Sequence, residues 1–215
     1  GKVAKGKEPK WKDEYIPLMK EHDVPDWYIK SCEKIKYMFP KAHAAAYVTN
    51  AFRIAWFKVH IPLAYYAAYY SIRAKAFDAQ YMIFGKEKVK NKMKEIEMKN
   101  QKKEATKAEL DMYDDLEIVL EMYERGFEFL PVDIYESEAS KFKIQDNKLR
   151  PPLNSIPGFG TVAAQGIVNA RKDGKFMSID DLKIRAKIGA SGAELLKQFG
   201  CLEGMSQSNQ LSLFG

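Results

Sequence analysis

Apolar residues at Ala44, Tyr47, Val48, Ala51, Phe52, Ala55, Trp56 and Val59 recur at i, i+3, i+4 and i+7, while Thr49, Asn50, Arg53 and Lys58 fall off the stripe. That period predicts a buried amphipathic helix ending at His60, before the Ile61–Pro62 break, with Tyr47, Phe52 and Trp56 in the core. Upstream, residues 13–20 and 26–38 read as two helices separated by the Asp23-Val-Pro-Asp26 turn, with Asp26 as N-cap. Downstream, 63–71 reads as a helix that is aromatic on several sides. The stretch 86–107 is dense in Lys and Glu and spaces Val89, Met93, Ile96 and Met98 as a surface helix. Residues 110–125 form another helix through Leu116, Val119, Leu120 and Met122, stopped by Gly126.

Beyond residue 140 the pattern shortens. Phe142, Ile144 and Leu149 flank Asp146-Asn147, which predicts a short β-hairpin. Arg150-Pro-Pro152 then marks a boundary. In Ser155-Ile-Pro-Gly-Phe-Gly160, Pro157 fixes its own φ, and Gly158 and Gly160 can take φ > 0, giving a tight turn. A helix starts at or just after Thr161, with Val162, Ala163, Ile167 and Ala170 on one face. A Gly-rich turn feeding a helix N-terminus points backbone N–H groups outward, an arrangement that suits a phosphate oxygen. Arg171 and Lys172 add charge at the far end. An ordinary loop-to-helix junction has the same local pattern. Gly174 suits the C′ position. Ser178 and Asp181 have the S-x-x-D spacing that starts the next helix. Ile188-Gly-Ala-Ser-Gly192 and the helical 193–199 look like a second, degenerate copy without the proline. Beyond Gly204 the chain turns polar and reads as disordered. The fold class is mainly α, with at most one short β-hairpin.

Charge and cysteine usage narrow the function classes. The 215 residues carry a net charge of +6. Residues 1–60 hold 12 Lys+Arg against 7 Asp+Glu, and residues 151–215 hold 7 against 5. A basic excess at both ends fits a polyanion touched at two places. Cys32 and Cys201 sit in no C-x-x-C, which argues against a zinc site or a disulfide framework and fits a reducing, cytoplasmic compartment. The longest apolar run, residues 61–70, is too short to span a bilayer, so no membrane partner is expected. The first twelve residues are Lys- and Gly-rich and lack an initiator Met, so the chain reads as a piece of something longer.

Several separated stretches resemble known families. Pro157-Gly-Phe-Gly160 and the helical segments downstream of it resemble the tandem helix-hairpin-helix, a sequence-independent binder of DNA backbone. Lys34-Ile-Lys-Tyr-Met-Phe-Pro-Lys-Ala-His-Ala-Ala-Ala-Tyr47, continued by Ala55-Trp-Phe-Lys-Val-His-Ile-Pro62, resembles the fingers signature of bacterial C-family replicative DNA polymerases. Arg150-Pro-Pro-Leu-Asn-Ser-Ile-Pro-Gly-Phe-Gly160 is similar to that family's duplex-binding region, and Gln210-Leu-Ser-Leu-Phe214 to its sliding-clamp motif. The details resemble the PolC type. The resemblance implies the C-terminal part of the fingers over 1–130, a tandem helix-hairpin-helix domain over 131–204 and a flexible tail over 205–215.

The resemblance also implies roles. Lys36, Tyr37, Lys41 and His43 would face the incoming deoxynucleoside triphosphate, at an elbow where one helix ends and the next begins. Pro157, Gly158, Phe159, Gly160, Thr161, Arg171 and Lys172 would meet primer–template DNA. Gln210, Leu211, Ser212, Leu213 and Phe214 would dock on the sliding clamp (the β subunit), among other replisome subunits. The palm aspartates, their Mg2+ and the exonuclease lie upstream in this family. The chain by itself is therefore expected to hold no catalytic residue, metal or bound cofactor and to be inactive. Two other classes remain open. A repair glycosylase would place a catalytic Lys and Asp shortly after the hairpin, and 161–170 offers neither. A non-enzymatic DNA-binding module would not need the Lys36–His43 elbow or the clamp motif.

Overall fold

The computed structural model describes residues 10–34 and 41–208. By contacts the chain divides into two compact units, Gly1–Ala55 and Trp56–Gly215.

In the first unit a π-helical turn, Trp11–Tyr15, leads into α1 (Ile16–Glu21), and α2 spans Asp26–Lys34. The turn between them places Asp23 at φ 54°, and Val24 N–H donates back to Met19. Asp26 is the first residue of α2 rather than its cap: the carbonyl of Pro25 accepts the opening bonds from Tyr28 and Ile29. Trp11, Ile29 and Cys32 form a small buried cluster, and the Trp11 indole donates to Glu33 at 3.2 Å.

The predicted long helix is present as α3 (Lys41–His60). Its predicted burial is not. Tyr47 is 66% exposed, Phe52 73% and Trp56 52%, and no residue of α3 is buried among the described residues. Periodicity specifies which stripe of a helix is apolar. Covering that stripe needs a second surface, and the described residues supply none.

The second unit builds one core from helices and extends it with a hairpin. α4 (Pro62–Ile72) presents Leu63, Tyr66 and Tyr70. α5 (Ala79–Met82) is a single turn capped by Asp78, whose Oδ1 accepts from Gln80 N–H at 2.7 Å. α6 (Lys86–Gln101) buries Val89 and Ile96 and leaves Met98 exposed. α7 (Lys107–Glu124) starts with a full capping box between Thr106 and Glu109 and buries Leu116, Val119 and Met122. These residues pack together with Phe129, Phe142 and Leu149. Each large side chain removed from water stabilises this core by about 1.5–3 kcal/mol. Asp115 is the polar exception inside it. Its carboxylate accepts from Lys75 N–H at 2.9 Å, Ala76 N–H at 2.8 Å and the Tyr69 hydroxyl at 3.2 Å, which pins the α4–α5 turn to α7. Burial outweighs those donors and holds the Asp115 pKa above the ordinary carboxylate value.

The hairpin pairs β1 (Lys143–Gln145) with β2 (Lys148–Arg150) in register Ile144↔Leu149. Asp146 and Asn147 both adopt φ > 0, as a two-residue type I′ turn requires. Leu149 also exchanges backbone bonds with Glu128 and Leu130, so the strand is held on both edges.

A second apolar cluster, drawn almost entirely from Val132 to Leu202, lies under α8 (Thr161–Ala170), α9 (Ile179–Ala186) and α10 (Ala190–Gln198). α8 buries Ala164, Ile167, Val168 and Ala170; Val162, expected on that face, is 89% exposed. The expected disorder beyond Gly204 also does not hold for the residues described there. Met205 packs on the cluster, and the carbonyls of Ser206 and Gln207 accept from Ile179 and Asp180, capping the first N–H groups of α9. The fold is therefore mainly α with one small hairpin, as the pattern predicts. No described helix is long and apolar enough to cross a membrane.

Candidate nucleic-acid interface

The hairpin before α8 is assembled from both ends. A 3-10 turn, Leu153–Ser155, buries Leu153, and the Ser155 hydroxyl donates to the Pro152 carbonyl at 2.6 Å. Phe159 N–H then closes on the Ile156 carbonyl at 3.0 Å, with Pro157 and Gly158 at the two central positions. Gly158 has φ 79°, the left-handed conformation that the third position of such a turn demands. Phe159 is buried and faces Gly192 of α10, where a Cβ would stand 3.4 Å from the ring. The apolar residue of the turn is thus an anchor to the next helix, and the glycines flanking it are exposed.

Gly160 differs from Gly158. It is the N-cap of α8 at φ −69°, within reach of any residue, and a Cβ there would meet nothing within 4 Å. Neither its conformation nor its packing calls for glycine. No side chain caps α8, so the first-turn N–H groups, which have no acceptor inside the helix, face outward at its positive end. Thr161 is exposed and its Oγ1 accepts from Asn154 at 3.1 Å.

The second copy matches the first at three positions, one residue earlier than the sequence suggests, but its turn closes differently: Ile188 N–H reaches back to the Lys183 carbonyl at 3.1 Å, at the end of α9. Lys187, at φ 54°, takes the place of Gly158, buried Ile188 that of Phe159, and Gly189 that of Gly160. Gly189 is again an uncapped N-cap with ordinary φ (−76°). Gly192, read as part of that turn, lies inside α10 and gives room to Phe159. A lysine in the left-handed region disguised this repeat, because the glycine that normally marks it is absent.

The two arginines of this region serve as internal staples. Arg171 Nη1 donates to the carbonyls of Ile134 (3.0 Å) and Ser137 (2.6 Å). Arg185 donates to the carbonyls of Ala170, Gly174 and Lys175, pairs with Asp181 and lies 4.6 Å over the Phe176 ring. Arg171 and Lys172 also stand at the far end of α8, about 15 Å from the hairpin for ten residues. The structure therefore brings Pro157, Gly158, Phe159, Gly160 and Thr161 together and sets Arg171 and Lys172 apart. Lys172, Lys175, Lys187 and Lys197 make no ion pair among the described residues. Cys201 is half-buried, with its thiol pushed up to about 12 by burial, and serves as a weak donor to Val132 rather than a nucleophile.

At the other expected site, Lys41 opens α3 and His43 lies one half-turn in, its ring 4.4 Å from that of Tyr47. Both are exposed at the positive end of a 20-residue helix. Lys36, Tyr37 and Gln210–Phe214 lie outside the described residues.

Two turn-and-helix units with uncapped glycine N-caps, packed through Phe159 and Gly192, define a tandem helix-hairpin-helix protein. Residues 126–211 match the family described as the helix-hairpin-helix motif. Over 212 residues the chain is 52% identical to the DNA polymerase III PolC-type of Oceanobacillus iheyensis, covering 99% of this chain and 15% of that protein. It is 50% identical to the PolC-type enzyme of Clostridium perfringens over all of this chain and 51% identical to that of Bacillus subtilis over 98% of it. The chain belongs to the PolC-type DNA polymerase III family and corresponds to its C-terminal part. It spans about one seventh of the length of those relatives.

Proposed function

We propose that this chain is the duplex-holding part of a replicative DNA-directed DNA polymerase whose nucleotidyl transfer, palm aspartates and Mg2+ reside elsewhere in the longer protein. The hairpin at 156–161 grips the DNA backbone without reading bases. The observation that carries this is Gly160: it is glycine at a position where neither φ nor packing asks for it, beside N–H groups that no side chain caps. A missing Cβ there matters only to something that approaches the backbone from outside, and outward N–H groups at a helix N-terminus suit a phosphate oxygen. The turn offers no side chain suited to a base edge, so binding is sequence-independent.

Lys36, Tyr37, Lys41 and His43 face the incoming deoxynucleoside triphosphate in the intact enzyme, and Gln210–Phe214 docks on the sliding clamp. Support for the first comes from the exposed N-terminus of α3 carrying Lys41 and His43. Support for both comes from identity of about half to PolC-type polymerases across nearly the whole chain. The same identity favours a polymerase over a repair glycosylase or an isolated DNA-binding module.

Gly160→Ala tests the hairpin cleanly, because the fold has room for the methyl group. Primer–template affinity should fall similarly for unrelated sequences with thermal stability nearly unchanged. Affinity should also decline steeply with salt, since phosphate contacts release counterions. Undiminished binding by Gly160→Ala, or a strong preference for one sequence, overturns the reading.

A further inference from the structure

Pro157, at the tip of the hairpin, borders two open grooves of opposite character. One is lined by Phe77, Asp78, Met112 and Asn154 together with the hairpin itself, and contains a carboxylate and no cation. The other is lined by Gln80, Phe84, Lys88, Leu195, Gln198 and Phe199, and contains a cation and no carboxylate. Lys88 is exposed, with its Nζ held 4.5 Å over the Phe84 ring and no ion-pair partner among the described residues. Its neighbour Lys92 is committed to Glu95 at 3.0 Å and to the face of Tyr81. Phe84 is 54% exposed and lies 6.3 Å from Phe199.

We propose that the Lys88 groove continues the hairpin's DNA site, so that the phosphate backbone leaves Pro157 toward α5–α6 and away from Asp78. Charge complementarity selects the side. A polyanion crossing the Asp78 groove would meet a carboxylate, whereas in the Lys88 groove it meets an ammonium held in no ion pair among the described residues, whose field also reaches Asp78. The amide of Gln80 is a neutral donor on the same rim, while that of Gln198 is given to Glu194 at 3.4 Å, and Phe84 adds exposed apolar surface beside Lys88. The site thereby draws on residues 80–88, outside the helix-hairpin-helix match that begins at residue 126. It rests on the duplex-binding reading above, and the two can fail separately.

The test is duplex binding by the 215-residue chain as a function of salt, for Lys88→Ala, Lys88→Arg, Asp78→Asn and Gly160→Ala. Losing one phosphate contact should flatten the slope of log K against log[salt] by about 0.9. Lys88→Ala is expected to do this and to weaken low-salt affinity about 3- to 10-fold, with Lys88→Arg restoring both. Asp78→Asn, which keeps the α5 cap, should leave affinity within about twofold. An unchanged slope and affinity in Lys88→Ala, with Gly160→Ala impaired, removes the groove and leaves the hairpin. Loss in Lys88→Ala with Gly160→Ala unaffected removes the hairpin reading instead. An Asp78→Asn gain in affinity well beyond twofold, from relief of repulsion, places the backbone on the other side and overturns the proposal.

Discussion

Gly166 of α8 rests directly on the carbonyl of Ala186, the last residue of α9. A Cβ at residue 166 would stand 3.3 Å from the Ala186 carbonyl carbon and closer still to its oxygen. The neighbour is backbone, so it cannot rotate aside. Gly166→Ala should therefore cost about 1–3 kcal/mol, as overpacking of a tight contact does. Urea unfolding would show it as a lowered midpoint with an unchanged m-value. A neutral or stabilising result would mean that α8 and α9 slide freely, contrary to this close approach.

Arg171 and Lys172 are adjacent in sequence and opposite in role. Arg171→Ala removes the donor for two carbonyls in the 134–138 loop and should cost about 1–3 kcal/mol. Lys172→Ala, at an exposed position, should leave stability within about 0.5 kcal/mol. Thermal unfolding of both variants, read before any DNA measurement, separates a staple from a contact. Equal stability of the two would show that Arg171 is not holding the loop.

Glu109 gives α7 an acid-sensitive start. Lys99, then the backbone and side chain of Thr106, pull its pKa down to about 2 from an ordinary 4.5. A carboxyl with a depressed folded pKa contributes stability that is fully present above the unfolded value and is lost as pH falls through the folded one. The window is thus from about pH 4.5 down to about pH 2. Glu109→Gln should flatten the dependence of stability on pH across that window, and added salt should shrink the difference, because the pair is only partly buried and salt still reaches it. Parallel pH profiles for the two proteins would exclude the effect.

Tyr37→Ala and His43→Ala in the intact polymerase should raise the nucleotide KM or lower kcat while leaving primer–template affinity nearly intact. Steady-state extension on a short primer, with nucleotide varied, is the measurement. Unchanged nucleotide kinetics would return both residues to a purely structural role.

Removing Gln210–Phe214, or changing Leu213 and Phe214 to Ala, should spare distributive synthesis and abolish clamp-stimulated long products. Tethering to a ring that encircles the duplex raises the effective concentration of DNA at the enzyme without any new DNA contact. Equal clamp stimulation of the truncated and intact enzymes would count decisively against docking through this motif.

Local patterns carried much of this protein into view. Helix periodicity, the Asp146-Asn147 turn, the Ser178 cap and the Pro157-Gly158 turn all depend on interactions within a few residues, so α3, α4, α6 through α8 and the hairpin were legible. The site was legible where the chemistry is backbone chemistry, at 156–161. Lys187 obscures where the second turn begins, because a lysine in the left-handed region carries none of the signal that a glycine there would.

What only the tertiary structure decided is which groups are already committed to partners. Arg171 and Lys172 are indistinguishable as a charge pair in the sequence, yet one binds carbonyls thirty-odd residues away and the other faces water. Tyr47, Phe52 and Trp56 have the spacing of a core stripe, but burial belongs to a pair of surfaces, and a periodic pattern describes only one of them. Lys88 is one lysine among many on α6, and only folding sets it beside Pro157 and opposite Asp78. Sequence determines local conformation because its interactions are short-range; pairing, burial and the field around a charge depend on contacts between distant residues, and those exist only once the chain has packed.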